Sequence, residues 1–248
     1  CGGKDLALLS FEPADPARYG RIVRDAAGAV CAIVEYKDAS DEQRRIGEVY
    51  SGIMAAPTAL LKRWVAALDN HNAQKEYYLT DVVAMAVADG VPVVAQVVAD
   101  EAEVAGINDA AQLAELERVF QRRQANALME QGVRLADPAR FDQRGTLTCG
   151  SDVEIDINCI FEGQVQVDNG ARIGASCVIK DAHIGAGAVI HPFTHIEGAT
   201  VGASSLVGPF ARLRPGAELG AEVHIGNFVE VKNSTLAAGA KANHLAYL

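Results

Sequence analysis

Two cationic side chains, Arg214 and Lys232, lie 18 residues apart in the sequence. Arginine offers a planar fork of donors and lysine a point charge, so the pair could hold one phosphate group together. That chemistry requires a fold in which residues 18 positions apart become neighbours. Taken alone, either side chain would more often be a solvated surface charge.

Histidine can accept a proton near neutral pH, which makes each of the six histidines a candidate base. They are His71, His183, His191, His195, His224 and His244. No metal-ligand spacing links them, and the five cysteines contain no C-x-x-C pair, so neither a zinc site nor a disulfide framework is predicted. From spacing alone, each histidine is better explained as a surface or core residue.

The sequence from Ile155 onward repeats with a period of six. A large or branched apolar residue recurs every sixth position with three steps of five, and a small residue usually follows it. The series is Ile155, Phe161, Val167, Ile173, Ile179, Ile184, Ile190, Ile196, Val201, Val207, Leu213, Leu219, Ile225, Val231 and Leu236. Neither a strand of period 2 nor a helix of period 3.6 explains it, so the series predicts a parallel β-helix.

The hexapeptide repeat would bring Arg214 and Lys232 together. Three hexapeptides close one triangular coil, so an apolar residue stacks on its equivalent about 18 residues further on. We expect roughly five coils between residues 155 and 248. Arg214 and Lys232 would then lie on one face in adjacent coils, with Arg212 on the same strand as Arg214.

The chain before residue 150 has a different pattern. Apolar runs typical of buried strands cover residues 6–11, 30–35, 50–55 and 91–98, and helical spacing covers residues 60–68 and 81–88. Strands mixed with helices of this length predict an α/β domain.

A long helix is predicted after these elements, with Asn108 or Asp109 as its N-cap. Its apolar residues recur at steps of three to four: Leu113, Leu116, Phe120, Ala127 and Leu128. It is either an amphipathic helix on a domain surface or a connecting helix between two domains. We favour the connecting helix, because a different architecture follows it.

The composition excludes several classes of protein. The formal net charge is −10, which argues against a nucleic-acid surface, and no apolar stretch is long enough for a transmembrane helix. The scattered cysteines and the lack of a signal peptide favour the cytoplasm.

Three segments within the repeat resemble one known family. GPFARLRPGA at 208–217, GNFVEVK at 226–232 and HLAYL at 244–248 resemble the acetyltransferase half of the GlmU family, bifunctional N-acetylglucosamine-1-phosphate uridyltransferases / glucosamine-1-phosphate N-acetyltransferases. Segments upstream resemble the second half of the family's uridyltransferase domain and its domain junction, at 19–22, 35–38, 76–81, 103–108, 137–142 and 144–147. The resemblance therefore covers essentially the whole chain.

The resemblance implies a fold class of α/β followed by all-β. Residues 1–108 would be the C-terminal half of a Rossmann-like uridyltransferase domain, residues 109–134 a connecting helix, and residues 135–248 part of a left-handed parallel β-helix. The family's Gly-rich nucleotide loop and its last coils are not found in this sequence. We therefore expect the chain to be a fragment that lacks both ends.

The resemblance assigns an acetyltransferase site to the β-helix. It implies His244 as the general base that takes the proton of the attacking amine, and Arg214, Lys232 and Tyr247 as ligands of the substrate phosphate. His191 and His224 have no such role.

The resemblance also assigns a uridyltransferase site to the first half. It implies Asn108 as a ligand of Mg²⁺ and of UDP-N-acetylglucosamine, although helix capping also explains this residue. Further contacts to UDP-N-acetylglucosamine are implied at Gly20, Glu35, Tyr78 and Thr80. Tyr50 stands where the family usually has asparagine, so one amide contact to the sugar nucleotide is missing.

These assignments imply the synthesis of UDP-N-acetylglucosamine in two steps. Acetyl-CoA would acetylate glucosamine 1-phosphate, and UTP with Mg²⁺ would then convert N-acetylglucosamine 1-phosphate to the product, releasing pyrophosphate. The family also implies a homotrimer. The alternatives are an inactive truncated trimerisation scaffold and a single-activity β-helical sugar acetyltransferase.

Overall fold

The computed structural model describes residues 4–16, 19–107 and 109–248. The chain divides into two compact units, Cys1–Ala110 and Ala111–Leu248. Asn108 lies outside the described residues, so its two predicted roles stay predictions. Within the described part of the chain, every helix is too short or too polar to cross a bilayer.

The first unit is a mixed five-stranded sheet with two helices. Its elements are β1 (Leu6–Phe11), β2 (Arg21–Arg24), β3 (Val30–Val34), β4 (Val49–Ala55), α1 (Thr58–Ala66), α2 (Asp81–Ala88) and β5 (Val93–Val97). The strand order is β3-β2-β4-β1-β5, and only β1 and β5 run parallel. The core forms where buried residues of the sheet pack with α1 and α2, among them Leu6, Ile33, Trp64 and Val82.

The strands and helices predicted for the first unit are confirmed, with ends displaced by no more than two residues. The sequence reasoning missed β2. Its four residues, RIVR, place arginines on both sides of a short apolar pair, so they show neither an apolar run nor a strand-length alternation.

The second unit is a parallel β-solenoid of about six turns. Helix α3 (Ala110–Glu130) leads into it. Its strands are β6 (Arg134–Leu135), β7 (Phe141–Cys149), β8 (Glu154–Ile155), β9 (Cys159–Val167), β10 (Arg172–Ile173), β11 (Val178–Ile184), β12 (Val189–Ile190), β13 (His195–Glu197), β14 (Thr200–Val201), β15 (Leu206–Val207), β16 (Arg212–Leu213), β17 (Glu218–Leu219), β18 (His224–Asn227), β19 (Glu230–Val231), β20 (Thr235–Leu236) and β21 (Lys241–His244).

The strands form three faces, defined by their pairing. Face 1 contains β6, β8, β10, β12, β15, β18 and β21. Strands β7, β9 and β11 each continue from face 2 onto face 3. Strands β13, β16 and β19 complete face 2, and β14, β17 and β20 complete face 3.

The hexapeptide series is confirmed as the core of the solenoid. Every member from Ile155 to Val231 is at most 4% exposed. The members fall into one stack per face; Ile173, Ile190 and Val207, for example, pair in register on face 1. Burying these side chains from water is the main term that stabilises the coils.

The solenoid begins before the predicted first coil, which is why it has about six turns and not five. Strands β6 and β7 form an additional coil upstream of Ile155. The period could not show it, because Gln143 occupies the position on face 2 that pairs with Phe161 in the next coil.

A side chain of α3 covers the open edge of β7. The Gln121 Nε2 donates to the Gln143 carbonyl at 2.9 Å, and the Gln143 amide donates to the Gln121 Oε1 at 2.7 Å. The amide group of Gln121 thereby replaces a neighbouring strand and protects an edge that would otherwise be free to pair.

The predicted helix α3 is confirmed, but its predicted apolar stripe is only partly buried. Gln121, Ala125 and Leu128 are buried, whereas Leu113 and Phe120 are about half exposed. The hydrogen bonds of Gln121 determine which face of α3 is buried. Because Gln121 is polar, the spacing of apolar residues does not reveal this face.

One hydroxyl inside the solenoid has no partner. Thr194 is 1% exposed, and its Oγ1 makes no hydrogen bond within the described residues. A buried unpaired hydroxyl costs about 1–3 kcal/mol, so we expect Thr194→Val to raise the free energy of unfolding by about 1 kcal/mol. Urea unfolding at an unchanged m-value would measure this. The exposed Thr200→Val is the control, and a loss of stability in Thr194→Val would contradict the expectation.

Candidate functional site

The structure places Arg214 and Lys232 on face 2 in adjacent coils. Strands β16 and β19 pair in register, and the Arg214 amide donates to the Val231 carbonyl at 2.9 Å. Both residues follow a fully buried stack residue, Leu213 or Val231, so their side chains point outward. The two side chains therefore project from the same face, one coil apart.

A carboxylate that the sequence reasoning missed lies in the same cluster. Glu230 Oε1 is 2.9 Å from the Arg214 Nη1 and 4.0 Å from the Arg212 Nη1. Lys232 makes no ion pair within the part of the chain that the structure describes. Three cations and one carboxylate leave two net positive charges, which match a phosphate monoester near neutral pH.

A column of charges on face 2 shows how this cluster differs from its surroundings. The outward residues of successive coils are Arg144, Glu162, Lys180, Glu197, Arg214 and Lys232. The alternating part is self-neutralising, with ion pairs of 3.1 Å for Arg144–Glu162 and 3.2 Å for Lys180–Glu197. The alternation ends at Arg214 and Lys232, where two cations follow each other and an anion would be attracted.

His244 and Tyr247 lie on either side of the corner between face 1 and face 2. His244 ends β21 opposite Asn227 on face 1, and Tyr247 bridges to Glu230 on face 2. The turn between them passes through Leu245, whose φ is +49°. Both side chains are exposed, and the His244 ring makes no hydrogen bond with the described residues.

The five predicted or neighbouring groups of this cluster span three coils. Arg212 and Arg214 lie in one coil, Glu230 and Lys232 in the next, and Tyr247 in the third. Strands in a sheet are about 4.8 Å apart, so the cluster extends over about 10 Å, the size of a small phosphorylated ligand.

In the first unit, the structure brings Gly20, Glu35 and Thr80 together. The Thr80 hydroxyl donates to the Glu35 Oε1 at 2.9 Å. A Cβ at Gly20 would lie only 2.8 Å from the Ile33 Cγ2, so a larger residue would clash with Ile33; the Glu35 Oε1 would be at an ordinary contact distance of 3.6 Å. These three residues form a small polar cluster at the end of β3 and the start of α2.

Tyr78 belongs to a neighbouring network. Its hydroxyl donates to the Asp38 Oδ2 at 3.0 Å and accepts from the Gln74 Nε2 at 2.9 Å. Asp38 follows Glu35 by three residues, so the two networks adjoin along the chain. The structure does not show a bond between Tyr78 and Glu35 or Thr80.

No group of three or more His, Cys, Asp or Glu side chains in residues 4–16, 19–107 and 109–248 is placed to hold a metal ion. His191 and His224, which the sequence analysis set aside, lie on or beside face 1. His183 is paired with Asp168 at 2.8 Å on face 3, away from the cluster of Arg214.

The relatives found among known proteins carry the same name and match this chain over its whole length. The chain is 73% identical over 251 residues to the protein named Bifunctional protein GlmU of Methylibium petroleiphilum, and 66% identical over 260 residues to that of Paracidovorax citrulli. In both comparisons all of this chain is matched, against 55% of the relative. The chain thus spans about half the length of these relatives.

A family model and two solved structures also match parts of the chain. The family described as GMPPB C-terminal domain matches residues 144–246. A crystal structure of PerB from Caulobacter crescentus in complex with CoA and GDP-perosamine is 19% identical, with a TM-score of 0.42 over 63% of this chain and 84% of that one. The acetyltransferase domain of PglB from Neisseria gonorrhoeae, in complex with acetyl coenzyme A, is 14% identical, with a TM-score of 0.38 over 61% of this chain and 78% of that one.

Proposed function

The chain belongs to the bifunctional GlmU family, and from this premise we propose that the protein containing it makes UDP-N-acetylglucosamine in two steps. The solenoid would transfer an acetyl group from acetyl-CoA to glucosamine 1-phosphate. The first unit would be part of a domain that transfers the uridyl group of UTP to N-acetylglucosamine 1-phosphate and releases pyrophosphate.

One observation carries the acetyl-transfer proposal: the net positive cluster of Arg214, Lys232, Arg212 and Glu230 beside His244. Arg214 and Lys232 would hold the phosphate of the substrate, and the Tyr247 hydroxyl would donate a hydrogen bond to it. Glu230 orients Arg214 through their 2.9 Å ion pair and limits the charge to about that of one phosphate.

In the proposed acetyl transfer, each bond formed is matched by a bond broken, and the proton is carried by a side chain. The amine nitrogen attacks the thioester carbonyl of acetyl-CoA, the C–N bond forms and the C–S bond breaks. His244 accepts the amine proton through a ring nitrogen and can return it to the departing thiolate. The exposed, unpaired His244 ring is free to approach the amine.

For uridyl transfer, we propose that Gly20, Glu35, Tyr78, Thr80 and Asn108 contact UDP-N-acetylglucosamine. The Glu35–Thr80 hydrogen bond and the missing Cβ of Gly20 support a polar, close-fitting sugar site. A bound Mg²⁺ would neutralise phosphate charge. Asn108, whose side-chain oxygen would be one ligand of this ion, lies outside the described residues.

We also propose that the protein acts in the cytoplasm and that it forms a homotrimer. Its structural support is an exposed ladder of aromatic rings at the corner between faces 1 and 2. Phe193, Phe210 and Phe228 stack at centroid distances of 5.0 and 5.3 Å and are each about half exposed. An apolar ladder of this kind is typical of a protein–protein contact.

Two separate assays test the proposal on the full-length protein. Acetyl transfer is followed as CoA release from acetyl-CoA with glucosamine 1-phosphate, and uridyl transfer as pyrophosphate release from UTP with N-acetylglucosamine 1-phosphate. We expect both activities. Acetyl transfer alone would favour a single-activity acetyltransferase, and neither activity would favour an inactive scaffold.

We expect Arg214→Ala to raise the KM for glucosamine 1-phosphate about 10- to 100-fold, because one charge-assisted hydrogen bond to the phosphate contributes about 1.5–3 kcal/mol. The KM for acetyl-CoA should not change. Arg172→Ala is the matched control, since Arg172 is an exposed arginine paired with Glu154 on face 1. A shift in the KM for acetyl-CoA, or an equal effect of Arg172→Ala, would contradict the phosphate assignment.

A further inference from the structure

Asn227 is the residue that pairs in register with His244 on the neighbouring coil. Asn227 ends β18 and His244 ends β21, the strand beside it on face 1. Neighbouring strands are about 4.8 Å apart, so the two side chains start from backbone positions close enough for a hydrogen bond between them. Both side chains are exposed, and within the described residues neither forms a hydrogen bond.

The backbone fixes this juxtaposition at the corner between faces 1 and 2. The residue after each member of the pair has a left-handed conformation, with φ of +55° at Phe228 and +49° at Leu245. The Leu245 amide donates to the Asn227 carbonyl at 3.2 Å, which ties the two turns together. Because both coils turn in the same way at the same step, the side chains of Asn227 and His244 leave the corner side by side.

A glycine allows the two strands to approach each other next to this pair. A Cβ at Gly226 would overlap the carbonyl oxygen of Asn243, so any other residue would push β21 away from β18. Gly226 directly precedes Asn227, and Asn243 directly precedes His244. The close approach of the backbones therefore keeps His244 beside Asn227.

The side chain in register with His244 carries no charge. The titratable side chains of the strands and turns packed around His244 are His224, Glu230, Lys232, Lys241 and Tyr247. Each of these lies at another register position, for example His224 opposite Lys241. The amide of Asn227 can accept a hydrogen bond through its oxygen or donate one through its nitrogen.

We propose that Asn227 is a positioning residue for acetyl transfer, whose side-chain oxygen accepts the N–H of the His244 ring. This inference rests on the proposed acetyl-transfer function of the solenoid. The hydrogen bond made by one ring nitrogen determines which tautomer is present, and so leaves the lone pair of the other nitrogen to take the proton of the amine. Such contacts are often long without substrate and tighten when the substrate binds.

Steady-state kinetics of the full-length protein, with acetyl transfer followed as CoA release, test this inference. For Asn227→Ala, we expect kcat to fall about 10- to 100-fold, because a base that is not held in the productive orientation reacts more slowly. The KM for glucosamine 1-phosphate and the rate of uridyl transfer should not change, since Asn227 acts through His244 and is exposed at the surface of the solenoid.

Asn227→Asp separates a positioning role from a structural one. The carboxylate keeps an acceptor at the same place, so we expect most of the kcat to return at high pH. Its negative charge favours the protonated ring of His244, and the acidic limb of the kcat/KM profile should therefore move to higher pH by about one pH unit. A residue that only supports the fold would not shift this profile.

Asn243→Ala is the matched control, since Asn243 is an exposed asparagine of the same strand as His244, and neither kcat nor the pH profile should change. An unchanged kcat in Asn227→Ala, or an unshifted profile in Asn227→Asp, would overturn the inference. So would equal loss of both activities in Asn227→Ala, which would indicate a role in folding. If the unsubstituted protein releases no CoA, the proposed function of the solenoid fails before any substitution is made.

Discussion

Acetyl transfer is expected to fall by about 10²- to 10⁴-fold when His244 is replaced by alanine in the full-length protein, while uridyl transfer stays unchanged. The reason is that attack by the amine requires a group that removes its proton. His244 lies at the end of β21, across the corner from Tyr247 of the face 2 cluster. Separate rates of CoA release and pyrophosphate release measure the two effects.

His224→Ala is the control for His244→Ala. His224 lies on face 1 in the preceding coil, where it pairs in register with Lys241, three residues before His244. Its replacement should leave both rates within about twofold, as expected for a surface side chain. Equal loss of both activities in His244→Ala would mean that the residue supports the fold and is not the base.

The largest expected loss of stability follows replacement of Ile190 by alanine. Ile190 is completely buried in the middle of the face 1 stack, between Ile173 and Val207. Removing its branched side chain leaves a cavity that rigid neighbouring coils cannot fill, so we expect the free energy of unfolding to fall by about 2–5 kcal/mol. Denaturant unfolding of the chain measures the change.

Leu206→Ala provides the comparison for Ile190→Ala. Leu206 lies in β15 on the same face, next to the stack residue Val207, but it points outward and is 39% exposed. Its replacement should cost at most about 0.5 kcal/mol. If both substitutions cost the same, the inward stack would not be the main source of stability, and the interpretation of the hexapeptide series would be wrong.

The solenoid could be predicted from sequence because its stabilising residues have a fixed period. Each member of the series from Ile155 to Val231 occupies the same inward position of its hexapeptide. One atypical residue would therefore not have hidden the series. The first coil escaped detection because Gln143 interrupts the pattern. The buried apolar residues of this coil, Val133, Phe141 and Leu147, lie outside the series of six, and Gln143 instead forms hydrogen bonds with Gln121.

The placement of Arg214 and Lys232 could likewise be predicted, because one-coil spacing is a property of the backbone. Glu230 could not be recognised in the same way. Its role depends on a side chain that reaches back to Arg214 in the previous coil, which the spacing alone does not specify. The unpaired hydroxyl of Thr194 is a further example, since burial without a partner is visible only in three dimensions.

The corner between faces 2 and 3 has a consequence for how this chain can change in evolution. The number of sequence positions from the buried stack residue on face 2 to the next one on face 3 varies between coils. It is six for Phe161–Val167 and Leu213–Leu219, and five for Ile179–Ile184, Ile196–Val201 and Val231–Leu236. The paired stacks remain in register on both sides. Loss or gain of one codon is therefore absorbed at this corner, even where a strand such as β11 continues across it with a shift in register. The same event on a flat face would turn every following side chain of that strand to the opposite side. We expect naturally occurring length differences between homologous solenoids to concentrate at this corner.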